Sequence, residues 1–236
     1  MLTKLSNQVY YLSNNPHTDR PCLGYVKGSQ YALMIDAGNS SEHVGLFNQQ
    51  LTQHNLAYPN FVGITHWHWD HTYGLSSVKA VSIACDLTNQ QLVKMGNWRW
   101  DEQAMQKRLD EGEDIAFCSD MIVKEYPNRN EICIKPADII FHDNLTLDLG
   151  GITCEMKRIG GPHSEDSTIF YIPEEKILFL GDCTYEDMYY GNLFYREKLI
   201  KLRDYLQALD FEIGVQGHSA HQTKSEILQD LENELK

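Results

Sequence analysis

The chain has 236 residues, with 20 Lys plus Arg against 33 Asp plus Glu, a formal charge of −13 and 42% hydrophobic residues. These values exclude a disordered chain, and 16 Gly with 7 Pro exclude a collagen-like or low-complexity one. A chain this long buries roughly 70–75% of its unfolded surface and needs no disulfides, and its acidity argues against a nucleic-acid partner, whose phosphates are held by Lys and Arg.

The N-terminal stretch MLTKLSNQVYYLSNN lacks an apolar core long enough for a secretory signal. No apolar run approaches the roughly eighteen residues of a membrane span. The expectation is a cytoplasmic protein without a membrane partner. Six cysteines, with no C-x-x-C pair, are expected as small buried hydrophobes in a reducing compartment.

Val9 to Leu12 reads as a strand, and the apolar run 31–35 as a buried strand that closes at Asp36-Ala37-Gly38. Residues 42–55 form a helix, with Val44, Phe47 and Leu51 at helical spacing. Residues 61–64 and 81–84 are short strands. Residues 87 to about 136 break the rhythm and read as one or two helices, followed by an irregular stretch 118–137. This Trp- and Met-rich insert suits either a lid over a pocket or a helical layer on a sheet. Strands return at 139–141, 144–149 and 152–156, with a tight turn at Gly150-Gly151. Two more, 168–172 and 176–180, flank the turn 173–175. Helices are expected over 198–209 and from 224 to the end, with a strand at 211–215 between them. Strands alternating with helices along one chain give a single α/β layered domain over 1–236.

The densest chemical signal is Thr65-His66-Trp67-His68-Trp69-Asp70-His71, at the end of an apolar strand. In an extended segment residues i and i+2 face the same way, so His66 and His68 reach one cation together. Asp70 and His71 follow where the chain turns and can face the same cavity. Imidazole with carboxylate suits Zn²⁺, with Mn²⁺ or Fe²⁺ as alternatives. Three further candidates sit at strand ends beside small residues: His163, Asp182 and His218.

This H-x-H-x-D-H run, followed in order by His163, Asp182 and His218, resembles the metallo-β-lactamase superfamily from about residue 8 to 222. The resemblance implies a four-layer αββα sandwich with two zinc ions at one edge. It implies that His66, His68 and His163 hold one ion, that Asp70, His71 and His218 hold the second, and that Asp182 bridges them. Asp36 matches an upstream aspartate that is structural, capping the loop beneath the metals. The implied chemistry is hydrolysis by water acidified between the ions.

The family's branches differ in ways visible here. Secreted zinc β-lactamases have Cys at the position of Asp182 and carry signal peptides, although the text at 164–167 and 173–178 is similar to that branch. Glyoxalase II-like thioesterases add a helical glutathione-binding domain, for which the short stretch after His218 leaves no room. Acyl-homoserine lactonases place a Tyr three residues after the bridging Asp, as Tyr185 stands here. Ribonuclease-type members need basic surfaces. The expected function is therefore hydrolysis of a small ester, lactone or thioester, with Asp70 and Tyr185 catalytic. The alternatives are a β-lactamase-like amide hydrolase, a mononuclear iron dioxygenase of the same fold using His66, His163 and Asp182 or a similar subset, and a non-enzymatic relative.

Trp67, Tyr185 and Tyr189 are the candidate substrate contacts. With Trp69, Trp98, Trp100, Tyr190, Phe194 and Tyr195 they suggest an apolar pocket mouth for a partly hydrophobic small molecule; the alternatives are a layer under the insert or a homodimer contact. His17, His43, His54 and His142 have no matching partners and are expected at the surface, as is His221.

Overall fold

The computed structural model describes residues 1–189, 191 and 195–236. The chain opens with strands β1 (Leu2–Lys4), β2 (Val9–Leu12), β3 (Leu23–Lys27) and β4 (Ala32–Ile35). Helix α1 (Ser41–Gln53), strand β5 (Phe61–Gly63), the short α2 (Trp69–Thr72) and strand β6 (Val81–Cys85) follow. Next come α3 (Asp86–Met95), α4 (Glu102–Asp110) and α5 (Ala116–Glu125). The second half holds β7 (Ile139–Phe141), β8 (Asn144–Asp148), β9 (Thr153–Arg158), β10 (Thr168–Ile172) and β11 (Ile177–Gly181). It closes with α6 (Arg196–Ala208), β12 (Ile213–Gln216), β13 (Gln222–Thr223) and α7 (Lys224–Glu234).

Strands β1 to β7 pair in sequence order as one sheet, and the second runs β13-β12-β11-β10-β9-β8. The chain passes from the first sheet to the second at 142–143, so the neighbouring strands β7 and β8 belong to different sheets. Val9, Val26, Leu33, Ile35, Phe170 and Phe179 meet between the sheets. Phe170 is fully buried there, and removing such a ring costs about 3–5 kcal/mol. The outer face of the first sheet is covered by α1 and the helices of the insert, through Phe47, Leu51, Leu92, Met105 and Ile122. The outer face of the second is covered by α6 and α7, through Leu199, Leu202, Leu206, Ile227 and Leu231. The result is the four-layer αββα sandwich.

Local chemistry fixes several ends. Ser40 caps α1 by accepting from the His43 backbone N–H, and Thr223 and Glu226 form a reciprocal capping box on α7. The insert is more regular than the sequence suggests. A third helix, α5, takes the first part of the expected irregular stretch, up to Glu125. It buries Cys118 and Ile122 but lacks a side-chain N-cap at Ile115, so its start carries no local signal. Strand β3 was also hidden: Leu23 to Val26 are all buried, with no alternation to mark a strand. Among the described residues no helix is long and apolar enough to cross a membrane.

Candidate metal centre

The candidate donors lie where strands end. His66 and His68 follow β5, with His68 at the N-cap of α2, which then carries Asp70 and His71. Asp182 directly follows β11, His218 lies two residues beyond β12, and His163 sits in the loop between β9 and β10. Ligands gather beyond the carboxyl ends of strands in open α/β sheets for this topological reason. The two sheets are tied together at this edge: the Thr168 N–H donates to the Thr65 carbonyl at 2.8 Å, and the Cys22 N–H to the Gly217 carbonyl at 2.6 Å.

The donors fall into two groups. His66, His68 and His163 present ligand atoms within 4.8 Å of one another, and so do Asp70, His71, Asp182 and His218. Asp182 lies between the groups, with Oδ2 3.7 Å from His163 Nε2 and 3.2 Å from His218 Nε2, and Oδ1 3.5 Å from His71 Nε2. His218 Nε2 is also 3.0 Å from Asp70 Oδ2. All seven side chains are buried except that of His218, which is partly exposed.

The surrounding hydrogen bonds set which nitrogen faces inward. The Thr65 hydroxyl donates to Asp36 Oδ2 at 2.9 Å and so accepts from His66 Nδ1 at 3.0 Å. This leaves His66 Nε2 as a bare acceptor. His163 Nδ1 donates to the Glu186 carbonyl at 2.7 Å, which leaves its Nε2 an acceptor, 2.9 Å from His68 Nδ1. His71 Nδ1 donates to Asp36 Oδ2 at 2.8 Å. Asp36 also accepts the Thr65 N–H at 2.8 Å from a left-handed backbone, φ 62°. It therefore holds His71 directly, and His66 through Thr65, from beneath.

Three buried atoms that point into this space make no hydrogen bond: His66 Nε2, His71 Nε2 and Asp182 Oδ1. Buried polar atoms left bare are costly, about 1–3 kcal/mol each. Their convergence with four other N and O donors fits a divalent cation of the zinc type, and the residues could hold one in each group.

The electrostatics divide the histidines: His66 and His68 of the first group are held neutral, whereas the carboxylates of the second draw a proton onto His71 and His218 that a bound cation would displace. Burial, with the neighbouring imidazoles His71, His68 and His163, holds His66 well below the ordinary histidine value; burial and then His163 do the same to His68. Both stay neutral, as a ligand must be. Burial opposes ionisation of Asp182, but His218 and His71 outweigh it and hold the carboxyl well below the usual range. Burial likewise opposes the charged form of His71, and Asp70, Asp36 and Asp182 outweigh it upward.

Two glycines make room for Thr65 and Asp182. Gly181 has φ 52°, and a Cβ there would stand 2.6 Å from the Thr65 hydroxyl oxygen; at Gly217 a Cβ would collide with Asp182 Oδ1.

Above the donors lies a cavity of about 440 Å³, whose lining includes Asp70, His163, Asp182, Tyr185, Tyr189 and His218. Tyr185 stands between the two groups, its ring 6.5 Å from His163 and 6.3 Å from His218. Burial pushes its phenol up, so it carries its proton at neutral pH. Tyr189 lines the cavity, and Trp67 stacks behind it at 5.1 Å. Helix α5 supplies Phe117 and Cys118 to the wall.

The expected apolar mouth needs correction. Trp69 is buried in the core, and Trp98 and Trp100 clasp the Arg108 guanidinium at 4.5 and 4.7 Å; among the described residues none of the three lines the cavity. Tyr190 and Phe194 lie outside the described residues. His43 is buried rather than at the surface; it occupies the third position of α1 and packs beneath Gly38. His17, His54, His142 and His221 are exposed, and His221 Nδ1 lies 3.0 Å from the Tyr11 hydroxyl.

Two residues escaped sequence reasoning. Asp166 is buried and accepts from the Trp67 N–H at 2.8 Å, the Thr88 hydroxyl at 2.7 Å and the Ser164 hydroxyl. It thereby anchors the backbone between His66 and His68. A Ser-Glu-Asp-Ser run just after His163 was the available signal. Asp19, left-handed at φ 56°, lines the cavity with Oδ1 3.6 Å from His218 Nδ1. Burial and then Asp70 raise its carboxyl to about 7. No local pattern marks it.

Residues 21–218 match the sequence profile of the Metallo-beta-lactamase superfamily, and the chain belongs to that superfamily. Among solved structures it is similar to a metallo-beta-lactamase from Pontibacter korlensis, with TM-score 0.68 and 19% identity over 99% of each chain. It is similar to a metallo-beta-lactamase family protein from Thermus thermophilus, with TM-score 0.70 and 18% identity over 98% of this chain and 79% of that one. A stereoselective inverting sec-alkylsulfatase from Pseudomonas sp. matches at TM-score 0.69 and 13% identity, over 99% of this chain but 40% of that one. Identities this low carry the fold and leave the substrate open.

Proposed function

We propose that the protein is a binuclear zinc hydrolase acting on a small ester, lactone or thioester. The observation that carries this reading is the convergence of two donor groups, with bare buried atoms in both, at the floor of one open cavity. His66, His68 and His163 would hold one ion and Asp70, His71 and His218 the other, with Asp182 between them. Two divalent cations so placed would supply an acidified water and positive charge for a developing oxyanion.

The chain's own residues do the rest. Water adds its oxygen to the acyl carbon, the bond to the leaving oxygen or sulfur breaks, and the leaving group takes up a proton. Asp70 is buried, yet His71 and His218 hold its carboxyl well below the usual range. It is thus an anion beside the reacting centre, placed to orient the attacking water by accepting its hydrogen bond. The Tyr185 phenol, still protonated, is placed to donate a hydrogen bond to the departing alkoxide. The wall formed by Phe117 and Tyr189 excludes water from one side of the acyl group.

A screen of zinc-loaded protein against esters, lactones, thioesters, β-lactams and phosphodiesters tests the reading, with an Asp70→Asn sample beside it. Turnover of an acyl substrate that collapses in the variant supports it. Turnover confined to β-lactams would replace the ester with an amide. Oxygen consumption by iron-loaded protein, with no hydrolysis, would replace it with the dioxygenase.

A further inference from the structure

We propose that the ion pair between Arg20 and Glu125 is a positioning latch: it holds helix α5 against the segment that carries Asp19, and so limits the size of the acyl group that the cavity admits. The substrate class rests on the hydrolytic reading; the latch itself rests on geometry alone.

Two separate pieces of chain meet at the cavity. Helix α5 supplies Phe117 and Cys118 from its first turn, and the segment after β2 supplies Asp19. That segment is well fixed. Asn15 and Arg20 pair through their backbones at 2.8 and 2.9 Å, and the Asn14 side chain donates to the His218 carbonyl at 2.8 Å. The cavity end of α5 starts at Ile115 without a side-chain cap. Its polar anchors are at the other end, ten residues and about 15 Å away.

There Glu125 accepts from Arg20 Nη2 at 2.7 Å and from the Ser40 hydroxyl. Lys124 donates to the His17 carbonyl. The Tyr126 hydroxyl donates to the Asn39 carbonyl at 2.9 Å, and the Asn39 side chain to the Thr18 carbonyl at 2.7 Å. These contacts converge on residues 17–20 and on 39–40, just before α1. The Glu125 side chain is 2% exposed and that of Arg20 11%. A pair so buried contributes little net stability over an apolar one, because both ions give up their water. Arg20 Nε is also buried without a partner. What the pair supplies is a single geometry, since a charge-assisted hydrogen bond fixes distance and direction while apolar surfaces slide. The lie of α5 follows from where Glu125 is held, and the depth of Phe117 and Cys118 in the cavity follows from the lie of α5.

The test compares zinc-loaded protein with Glu125→Ala and with Glu125→Gln, which keeps an acceptor for Arg20 and Ser40 but drops the charge. The first readout needs no substrate: the rate at which a thiol reagent labels Cys118, followed by peptide mass. Cys118 is 6% exposed, and Cys154, fully buried between the sheets, gauges unfolding. Glu125→Ala should speed labelling of Cys118 about tenfold with Cys154 untouched. The second readout is the ratio of kcat/KM for the octanoyl and acetyl esters of one alcohol. It should rise about tenfold in Glu125→Ala, chiefly through the KM of the octanoyl ester, and by less in Glu125→Gln. A loss of zinc lowers both esters alike and leaves the ratio unmoved. If Glu125→Ala labels at Cys154 as well, it has unfolded, and Glu125→Gln carries both readouts, each rising about threefold. Unchanged labelling of Cys118 overturns the latch. Faster labelling with an unmoved ratio overturns its part in acyl selection while leaving the hydrolase intact. Absence of turnover on both esters by the unsubstituted protein overturns the hydrolytic reading and acyl selection with it, and the labelling still decides the latch.

Discussion

The floor and the wall of the cavity are built differently. On the floor, donors are buried, sit at strand ends and are held by an outer layer of hydrogen bonds from Asp36, Thr65, Asp166 and the Glu186 carbonyl. On the wall, Phe117, Met188 and Tyr189 come from a helix and a connecting segment, and Phe117 is 41% exposed. Side chains fixed by two sheets and several hydrogen bonds hold a reaction centre to fractions of an ångström. Side chains on an insert change without disturbing that centre. Chemistry is therefore read from the floor and specificity from the wall.

Substitutions on the floor should have the largest effects. Asp70→Asn should lower kcat/KM about 10³-fold on any substrate the protein turns over, since it removes the anion beside the reacting centre. A loss under tenfold would place Asp70 outside the chemistry. One layer further out, Asp36→Ala or Asp166→Ala should weaken zinc binding about 10–100-fold with all ligands intact, measured by competition with a chelating dye. Unchanged affinity in both would mean that the outer layer does not position the donors. Between floor and wall, Tyr185→Phe should lower kcat about tenfold, the worth of one hydrogen bond, with zinc content unchanged. Loss of zinc in that variant would move Tyr185 to the floor.

Beneath the floor the expected effect is one of pH and stability, with no direct effect on turnover. Burial, then Arg20 and His71, lowers His43 from 6.5 to about 3. The unfolded chain binds a proton that the folded chain refuses. Stability is thus full above pH 6.5 and declines as pH falls from there towards about 3, by a few kcal/mol in all. His43→Gln should flatten the dependence of the urea midpoint between pH 7 and 5; an unaltered slope would show that other groups carry it.

The floor was legible in the sequence because strand-end ligands announce themselves locally. Three histidines and an aspartate in six residues after an apolar run leave little doubt about the direction of the side chains, and His163, Asp182 and His218 each stand beside small residues at an element's end. The α/β layering was legible from strands that are apolar throughout, such as β10 and β11. What escaped depends on contacts distant in sequence. Asp166 anchors the Trp67 backbone across 99 positions, and Asp19 reaches the cavity only because the segment after β2 folds against His218. Helix α5 lacked a cap to betray its start, and the burial of His43 is set by Gly38 and the elements around it rather than by its own neighbours in α1.

Zinc stoichiometry addresses the account most directly. Protein stripped with a chelator, re-equilibrated with zinc and desalted should hold two ions per chain by elemental analysis. His66→Ala and His218→Ala should each retain about one. Less than one ion in the unsubstituted chain, or two in both variants, would contradict a floor built as two donor groups.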